Sequence, residues 1–322
     1  MNENGNSLVS VVVPCYNEEA VLETFFERVG AVARAHSGYA FEFVFVDDGS
    51  DDGTAGTLDD LAGKDARVKV LTLSRNFGHQ IAITAGLDAA AGQYVVVIDA
   101  DLQDPPELIP DMLERLENGN DIVHMVRHNR RGESLPKRLT ARLFYAVMRR
   151  CALPELPLDA GDFKAFNRRV LLAVRQYRER VRFIRGIFAG VGFKQTELSY
   201  ARDPRYAGRS KYPWRKVVRF AVDAVTAYSL LPLRLALVAG VLAWVGLVAY
   251  LAATLIRWVA ARAAPDLRWT AIVVVFLGLS GLNLIFLGMI GEYLGRVLRE
   301  LKQRPLYVVR SRRNLDDDPQ PP

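Results

Sequence analysis

The stretch Val95–Glu107, VVVIDADLQDPPE, decides the fold of this chain. It begins as a short run of β-branched residues and turns abruptly acidic, as a buried strand does where it leaves a sheet. Asp99 and Asp101 stand two residues apart at that exit. Buried carboxylates this close repel each other unless a cation or hydrogen bonds neutralise them. The spacing therefore predicts a divalent-cation site that these two side chains share with substrate phosphates.

The sequence on both sides of this stretch alternates between short apolar runs and helical periodicity. The predicted strands are Val9–Val13, Glu42–Val46, Val68–Leu73 and Tyr94–Ile98. The predicted helices are Glu18–Ala35, Gly53–Ala62, Gln80–Ala90 and Pro106–Asn118. Strands buried on both faces and separated by helices predict a doubly wound, mostly parallel α/β sheet. Ligands bind such sheets at the carboxyl ends of the strands.

Polar motifs follow two of the other predicted strands. Val11–Glu19, VVVPCYNEE, is predicted to be a strand that Pro14 breaks into a polar loop; the alternative is an ordinary helix start capped by Asn17. In Phe43–Thr54, FVFVDDGSDDGT, Asp47 or Asp48 could accept hydrogen bonds from a base or a ribose, and a capped turn is the alternative.

A third motif, Leu73–Gly86, reads LSRNFGHQIAITAG. Arg75 stands at a strand exit where it could bind a diphosphate, with a solvated surface arginine as the alternative. Gly78 allows a tight turn there. Arg182 and Arg185 are weaker candidates for phosphate binding, and for them we favour the surface reading.

Several classes of protein are excluded by the 322 residues. The chain has neither a G-x-G-x-x-G segment after its first strand nor a P-loop, which argues against dinucleotide oxidoreductases and P-loop enzymes. Its cysteines, Cys15 and Cys151, form neither a disulfide framework nor a zinc motif. A net charge of +6 is too small to indicate nucleic-acid binding.

Two segments without any charged residue, Leu235–Ile256 and Trp269–Gly291, are long enough to cross a membrane. Basic residues concentrate before the first and after the second, so the positive-inside rule places both termini in the cytoplasm, joined by a short outside hairpin. Pro213–Tyr228 is predicted to be an amphipathic helix on the membrane surface, with an ordinary surface helix as the alternative. The polar start of the chain does not read as a secretory signal.

These patterns divide the chain into four parts. The expected α/β domain spans residues 1–201, and a basic loop with the juxtamembrane amphipathic helix follows at 202–232. A hairpin of two transmembrane helices is expected at 233–295, and a basic cytoplasmic tail at 296–322. We expect a multi-pass protein of the cell inner membrane, and we leave open whether it forms homo-oligomers.

In combination, the motifs resemble family 2 glycosyltransferases of the GT-A fold. The segments that carry the resemblance are PCYNEE, DDGSDDGT, DADLQD, GDF at Gly161–Phe163, GRSKY at Gly208–Tyr212 and the two C-terminal apolar spans. Within the family, the chain is similar to the polyprenyl-phosphate glycosyltransferases, the group of dolichol-phosphate mannose synthase and bactoprenol glucosyltransferase. Lys164 and Asn167 depart from the Arg and Asp common in that group. The QxxRW motif of processive synthases is absent, which favours a single transfer.

The resemblance implies roles for individual residues. Those implied to bind the nucleotide sugar are Pro14, Tyr16, Glu18, Asp48, Arg75, Asp99, Ala100 and Gln103. Asp99 and Asp101 would hold Mg²⁺ or Mn²⁺, with Asp101 also catalytic. Asp162 would be an orienting or base-like catalytic residue in the acceptor-side loop. Arg205, Ser210 and Lys211 would bind the acceptor phosphate. The resemblance thus makes 1–201 the catalytic domain and the loop within 202–232 the acceptor-phosphate loop.

The expected reaction moves one sugar from a UDP- or GDP-sugar to polyprenyl phosphate, with inversion, at the cytoplasmic membrane face. An acceptor phosphate is already largely anionic at neutral pH, so it needs positioning by cations more than a general base. Two alternatives remain open. One is a membrane glycosyltransferase with a lipid or glycan hydroxyl acceptor, which would need a true base. The other is a non-catalytic nucleotide-sugar-binding membrane protein.

Overall fold

The computed structural model of the chain describes residues 6–127, 160–180, 182–200 and 268–315, together with single helical positions and short helical stretches between 238 and 260. The chain divides into two compact units. One unit comprises Met1–Pro213 and Arg304–Pro322, and the other comprises Trp214–Gln303.

The first unit is built on one mixed sheet. Its strands are β1 (Ser7–Cys15), β2 (Tyr39–Asp47), β3 (Val68–Leu73), β4 (Tyr94–Val97), β5 (Ile122–Arg127), β6 (Ala160–Asn167), β7 (Gln195–Tyr200) and β8 (Val309–Arg313). Their order in the sheet is β7-β5-β6-β4-β1-β2-β3-β8. The central strands β3, β2, β1 and β4 run parallel, as does the pair β5 and β7, whereas β6 and β8 run antiparallel to their neighbours.

Helices cover both faces of this sheet. They are α1 (Glu19–Ala35), α2 (Thr54–Lys64), α3 (His79–Ala89), α4 (Ile109–Glu117, preceded by a 3₁₀ turn at Pro106–Leu108), α5 (Arg168–Gln176) and α6 (Ile184–Gly190). Alternate residues of β1 point to opposite faces: Val11 packs with Phe25 of α1, and Val12 packs with Ile83 of α3. The predicted doubly wound arrangement is confirmed, and each predicted strand and helix of the first half lies within about two or three residues of its observed position.

Pro14 does not break β1, contrary to the sequence prediction. Pro14 pairs with Val46, and the strand continues to Cys15. A proline removes one amide donor but its φ fits an extended backbone, so near the end of a strand the pairing can survive it. The carbonyl of Cys15 still accepts the amide of Asp48, at 2.9 Å.

The C-terminal end of the chain contains a strand that the sequence did not predict. β8 lies within the segment 296–322 that we expected to be a basic tail, and it pairs with β3, so that β8 forms the edge of the sheet on that side. Asn314 extends this contact, because its side-chain amide donates to the carbonyls of Ala62 and Val68, both at 2.9 Å.

The second unit contains one long described helix, α7 (Arg268–Leu301). Within it, the segment Gly278–Gly295 has a mean hydropathy of 1.2 and no buried residues. By length and composition alone, this segment could cross a membrane. Of the 22 positions of the first predicted span, Leu235–Ile256, the structure describes 12, and all of these are helical. The amphipathic helix predicted at Pro213–Tyr228 also lies outside them.

Candidate active site

The polar motifs meet at one edge of the sheet. β1, β2, β3 and β4 are parallel, so the loops that follow them begin side by side. β6 enters the same edge from the opposite direction. Its register pairs Val97 with Lys164, and continuing that register past the end of β4 sets Asp162 opposite Asp99. The fold thus joins a motif near residue 100 to one near residue 160.

Asp48 braces the loop Ser74–Gly78, which we call the donor loop. Its two carboxylate oxygens accept the backbone amides of Phe77 and Gly78, each at 2.8 Å. Burial raises the pKa of Asp48, and the two amide hydrogen bonds partly offset that rise. Within the described structure, Asp48 therefore shapes the donor loop, and any contact with a nucleotide would come in addition.

Gly49 lets the loop that follows β2 lie directly against the donor loop. Its φ is +68°, and a Cβ there would lie 2.4 Å from the carbonyl carbon of Arg75. Arg75 lies over the Phe77 ring, with its guanidinium carbon 4.2 Å from the ring centroid. Only glycine fits both the backbone angle and the contact.

Hydrogen bonds also join the loop that follows β1 to the loop that follows β2. Asn17 has a φ of 56°, and its side-chain oxygen accepts the amide of Asp51 at 2.9 Å instead of capping α1. The amide of Glu18 donates to the hydroxyl of Thr54 at 2.9 Å. Pro14 is buried in β1, whereas Tyr16 and Glu18 are half-buried at this edge. Tyr16, Glu18 and Asp48 thus lie in or beside loops that hydrogen bonds join together.

The acidic loop after β4 has an unusual backbone. Leu102 adopts a φ of 59°, which costs a non-glycine residue about 1–3 kcal/mol. Its side chain is buried, while those of Asp101 and Gln103 on either side are half-exposed, and Asp101 accepts the amide of Gln103 at 3.2 Å. Ala100 is buried beside them. The strained turn presents Asp101 and Gln103 at the surface of the site.

Cations surround the buried Asp162. Arg185 binds it with two nitrogens, and His79 Nε2 lies 3.3 Å from Asp162 Oδ2 and 3.5 Å from Asp99 Oδ1. Gln80 links the cluster to α6, because it donates to Asp162 at 3.4 Å and accepts the amide of Ile184 at 2.9 Å.

The electrostatics of this cluster distinguish its two carboxylates. Burial raises the pKa of Asp99 to about 6. Burial also acts to raise the pKa of Asp162, but Arg185 and His79 outweigh it and hold that pKa well below its usual range. For His79, burial lowers the pKa, yet Asp99 and Asp162 raise it to about 9. Asp162 is therefore the carboxylate that its ion pair with Arg185 favours in the ionised form.

Lys164 is buried on β6 behind Asp162. Its ammonium lies 4.6 Å from the centroid of the Phe188 ring, and burial lowers its pKa to about 8. Asn167, the other departure from the family pattern, caps α5 by accepting the amide of Val170 at 3.1 Å. Lys164 thus adds positive charge near Asp162, and Asn167 has a structural role.

The donor set at the acidic loop fits a hard divalent cation. Among the described side chains, Asp99 Oδ1 is buried without a hydrogen-bond partner, although the His79 ring lies within ion-pair distance. No group of three or more His, Cys, Asp or Glu residues is arranged around a metal position in the described part of the chain. Two carboxylates are enough for Mg²⁺ or Mn²⁺ when substrate phosphates supply the remaining oxygens.

The structure places most of the predicted residues together. Pro14, Tyr16, Glu18, Asp48, Arg75, Asp99, Ala100, Asp101, Gln103 and Asp162 all lie at the carboxyl edge or in the loops beside it. The predicted acceptor-phosphate residues Arg205, Ser210 and Lys211 lie outside the described residues, so their role stays a prediction.

The prediction that Arg182 and Arg185 are solvated surface residues was wrong. Arg182 is buried and donates to Thr84 Oγ1 at 3.1 Å, and Arg185 belongs to the Asp162 cluster. His79 and Gln80 were missed as site residues, although both stand in the quoted motif after Leu73. The signal for Arg185 was its position as the only charged residue of the short, apolar helix α6.

A doubly wound sheet with paired carboxylates at its carboxyl edge occurs in α/β proteins of many functions, and similarity to known families assigns this one. The chain belongs to glycosyl transferase family 2, whose family model matches residues 10–175.

Curated relatives span nearly the whole chain. It is 41% identical over 309 residues to the uncharacterized glycosyltransferase YkcC of Bacillus subtilis, covering 96% of this chain and 95% of the relative. It is 35% identical over 303 residues to the bactoprenol glucosyl transferase of Shigella phage SfII, covering 94% and 97%. Among solved structures, it resembles mannosyl-3-phosphoglycerate synthase from Rubrobacter xylanophilus with a TM-score of 0.47, at 19% identity over 70% of this chain and 73% of the other.

Proposed function

We propose that the chain transfers one sugar from a UDP- or GDP-sugar to polyprenyl phosphate at the cytoplasmic face of the cell membrane. The product is a lipid-linked sugar that can serve as a donor for glycans of the cell envelope. The bactoprenol glucosyl transferase relatives, at 35% identity over nearly their full length, support a polyprenyl-phosphate acceptor.

The observation that carries the choice of acceptor is the state of Asp162. A hydroxyl acceptor needs a base to remove its proton, and a carboxylate bound by Arg185 and His79 with a strongly lowered pKa is a poor base. A phosphate acceptor is already anionic and needs none. We therefore assign Asp162 an orienting role, in which it holds Arg185 and His79 in place beside the reacting groups.

In this mechanism, an oxygen of the acceptor phosphate attacks the anomeric carbon of the sugar as the bond to the nucleotide diphosphate breaks, and the configuration inverts. Asp99 and Asp101 would hold a divalent cation, which supplies Lewis-acid stabilisation of the charge on the departing diphosphate. Gln103 stands beside them to orient the diphosphate. Arg205, Ser210 and Lys211 would position the acceptor phosphate.

The membrane part of the proposal rests on α7 and on the sequence. We propose two transmembrane helices, with the catalytic domain and both termini in the cytoplasm. The apolar segment Gly278–Gly295 of α7 and the distribution of basic residues support this arrangement.

The test is mass spectrometry of lipid products after the purified full-length chain is incubated with a panel of UDP- and GDP-sugars and polyprenyl phosphate. We expect one nucleotide sugar to yield a polyprenyl phosphate heavier by a single sugar. Transfer only to a lipid or glycan hydroxyl would support the alternative enzyme. Nucleotide-sugar binding with no product from any acceptor would support a non-catalytic binding protein.

A further inference from the structure

The segment after α7 contacts the donor loop directly. β8 pairs with β3 antiparallel, and the register shifts between Thr72 and Leu73, so that Leu73 pairs with Val309. Beyond the end of β3, the amide of Ser74 donates to the carbonyl of Val308 at 2.8 Å. The hydrogen bonding of the C-terminal segment thus continues into the first residue of the donor loop.

Side-chain packing strengthens this contact. Phe77, Tyr307 and Val309 pack against one apolar cluster. The buried members of that cluster are Val46, Leu71, Leu73, Ala82 and Ala85. Phe77 is also the residue whose amide donates to Asp48. Tyr307 therefore packs against the same apolar cluster as Phe77, the residue that Asp48 fixes through the backbone.

Tyr307 also holds the far end of α3. Its hydroxyl donates to Asp88 Oδ2 at 2.9 Å, and Arg178 binds the same buried carboxylate with two nitrogens, at 2.8 and 3.0 Å. Arg175 donates to the carbonyl of Leu87 at 2.6 Å. Because α3 begins at His79, these contacts fix the helix that carries a cation of the Asp162 cluster.

We propose that Tyr307–Asn314, the C-terminal clasp, is a positioning element of the donor site and that Tyr307 is its principal positioning residue. Tyr307 acts on the donor loop through the apolar cluster that it shares with Phe77, and on α3 through Asp88. The loss of the clasp should weaken binding of the donor nucleotide specifically. The identity of that ligand as a nucleoside diphosphate rests on the proposed function.

A simpler role is to cover the edge of the sheet. Edge strands expose unpaired backbone groups, and covering β3 would stabilise the fold without any effect on the ligand. The two roles predict different results for Tyr307 variants, because edge covering changes the melting temperature while positioning changes nucleotide affinity in the folded protein.

The test uses the full-length chain in lipid nanodiscs, with Tyr307→Ala, Tyr307→Phe and the matched control Tyr177→Ala, whose ring is exposed on the surface. For each, calorimetry gives the Kd of UDP and GDP, and steady-state kinetics give KM for the nucleotide sugar and for polyprenyl phosphate. Thermal unfolding and circular dichroism report whether each variant is folded.

We expect Tyr307→Ala to raise the nucleotide Kd and the donor KM by about tenfold while the acceptor KM stays within about twofold. Tyr307→Phe keeps the ring but loses one hydrogen bond, so its Kd should rise by roughly threefold. Tyr177→Ala should match the wild type.

Wild-type nucleotide affinity in folded Tyr307→Ala and Tyr307→Phe would overturn the positioning role, even if both melt earlier. If Tyr307→Ala does not fold, unchanged affinity in Tyr307→Phe overturns it as well. A wild-type chain that binds neither UDP nor GDP would overturn the proposed function, and the assignment of the clasp to a nucleotide site with it.

Discussion

Arg185 binds Asp162 through two guanidinium nitrogens, with Nε 3.0 Å from Oδ1 and Nη2 3.1 Å from Oδ2. The pair joins the short helix α6 to the start of β6, so a residue of the sheet and a residue of the covering layer fix each other. Because Asp162 is buried, the loss of Arg185 would leave its charge short of a partner in an apolar setting.

Arg185→Ala should therefore destabilise the protein, and the effect should depend on pH. The lowered folded-state pKa of Asp162 means that its contribution to stability is present above its unfolded value of 3.8 and is lost as the pH falls through the folded value. In folded Arg185→Ala, burial without the arginine raises the pKa of Asp162. Its carboxylate therefore becomes protonated at a higher pH, and protonation removes the cost of the unpaired buried charge. We expect a loss of about 1–2 kcal/mol at pH 7, allowing for the partial exposure of Arg185.

The measurement is urea unfolding of the wild type and of Arg185→Ala between pH 7 and pH 4, with Arg115→Ala, an exposed arginine of α4, as the control. The difference in the free energy of unfolding between the wild type and Arg185→Ala should become smaller as the pH falls. A difference that is the same at every pH would contradict the pairing of Arg185 with an ionised Asp162.

Asp101→Ala should almost eliminate transfer, because Asp101 would no longer help to hold the divalent cation. Losing that electrostatic stabilisation is expected to slow product formation by about three orders of magnitude. EDTA should act on the wild type in the same way, and Asp111→Ala, an exposed carboxylate of α4, should not. Full wild-type rates in thoroughly chelated buffer would rule out the metal role.

Gly49→Ala should disrupt the loop cluster, because its φ of +68° and the 2.4 Å approach of the Arg75 backbone leave no room for a Cβ. The backbone angle alone costs about 1–2 kcal/mol. Gly56→Ala is the matched control: it is exposed in α2 with nothing within 4 Å of its Cβ, and should stabilise the helix by about 0.5–1 kcal/mol. Thermal unfolding and nucleotide binding are measured for both variants. Equal effects of Gly49→Ala and Gly56→Ala would contradict the close contact between Gly49 and the Arg75 backbone.

Lys211→Ala should slow transfer to the lipid by one to two orders of magnitude, roughly, if its ammonium binds the reacting phosphate. Membrane attachment should survive, since it depends on the apolar helices. Lys302→Ala is the control, because Lys302 is an exposed lysine just after α7. Equal, small effects of the two changes on lipid-acceptor kinetics would mean that Lys211 only binds the anionic membrane surface.

Membrane topology is tested by labelling of single cysteines. In an otherwise cysteine-free variant, Pro265→Cys should react with an impermeant thiol reagent in intact cells, because the loop before α7 carries few basic residues. A cysteine added at the C-terminus should react only after the cells are opened. Labelling of that C-terminal cysteine from outside would refute the proposed orientation.

The first half of the fold and much of the site were predictable because the information is local. Strand exits such as those at Asp48 and Asp99 are visible as apolar runs that end in carboxylates. Parallel strands bring such ends together without further information, so the motifs indicated one site.

The parts of the fold and site that the sequence did not predict depend on contacts between residues far apart in the chain. Nothing near Arg185 in the sequence shows that α6 lies over Asp162, and β8 is short, basic and half-exposed, so it lacks the alternation of a typical strand. Pro14 misled the prediction for the opposite reason, because the pairing with β2 outweighed a local strand-breaking preference.

The pairing of β8 with β3 also limits how the chain can be threaded through a bilayer. A sheet lies entirely on one side of a membrane, and here the chain leaves the sheet after β7 and rejoins it at β8. The number of crossings in between must therefore be even, wherever they occur. If α7 is one crossing, another precedes it, and an anchor with a single crossing is incompatible with the hydrogen bonds between β3 and β8.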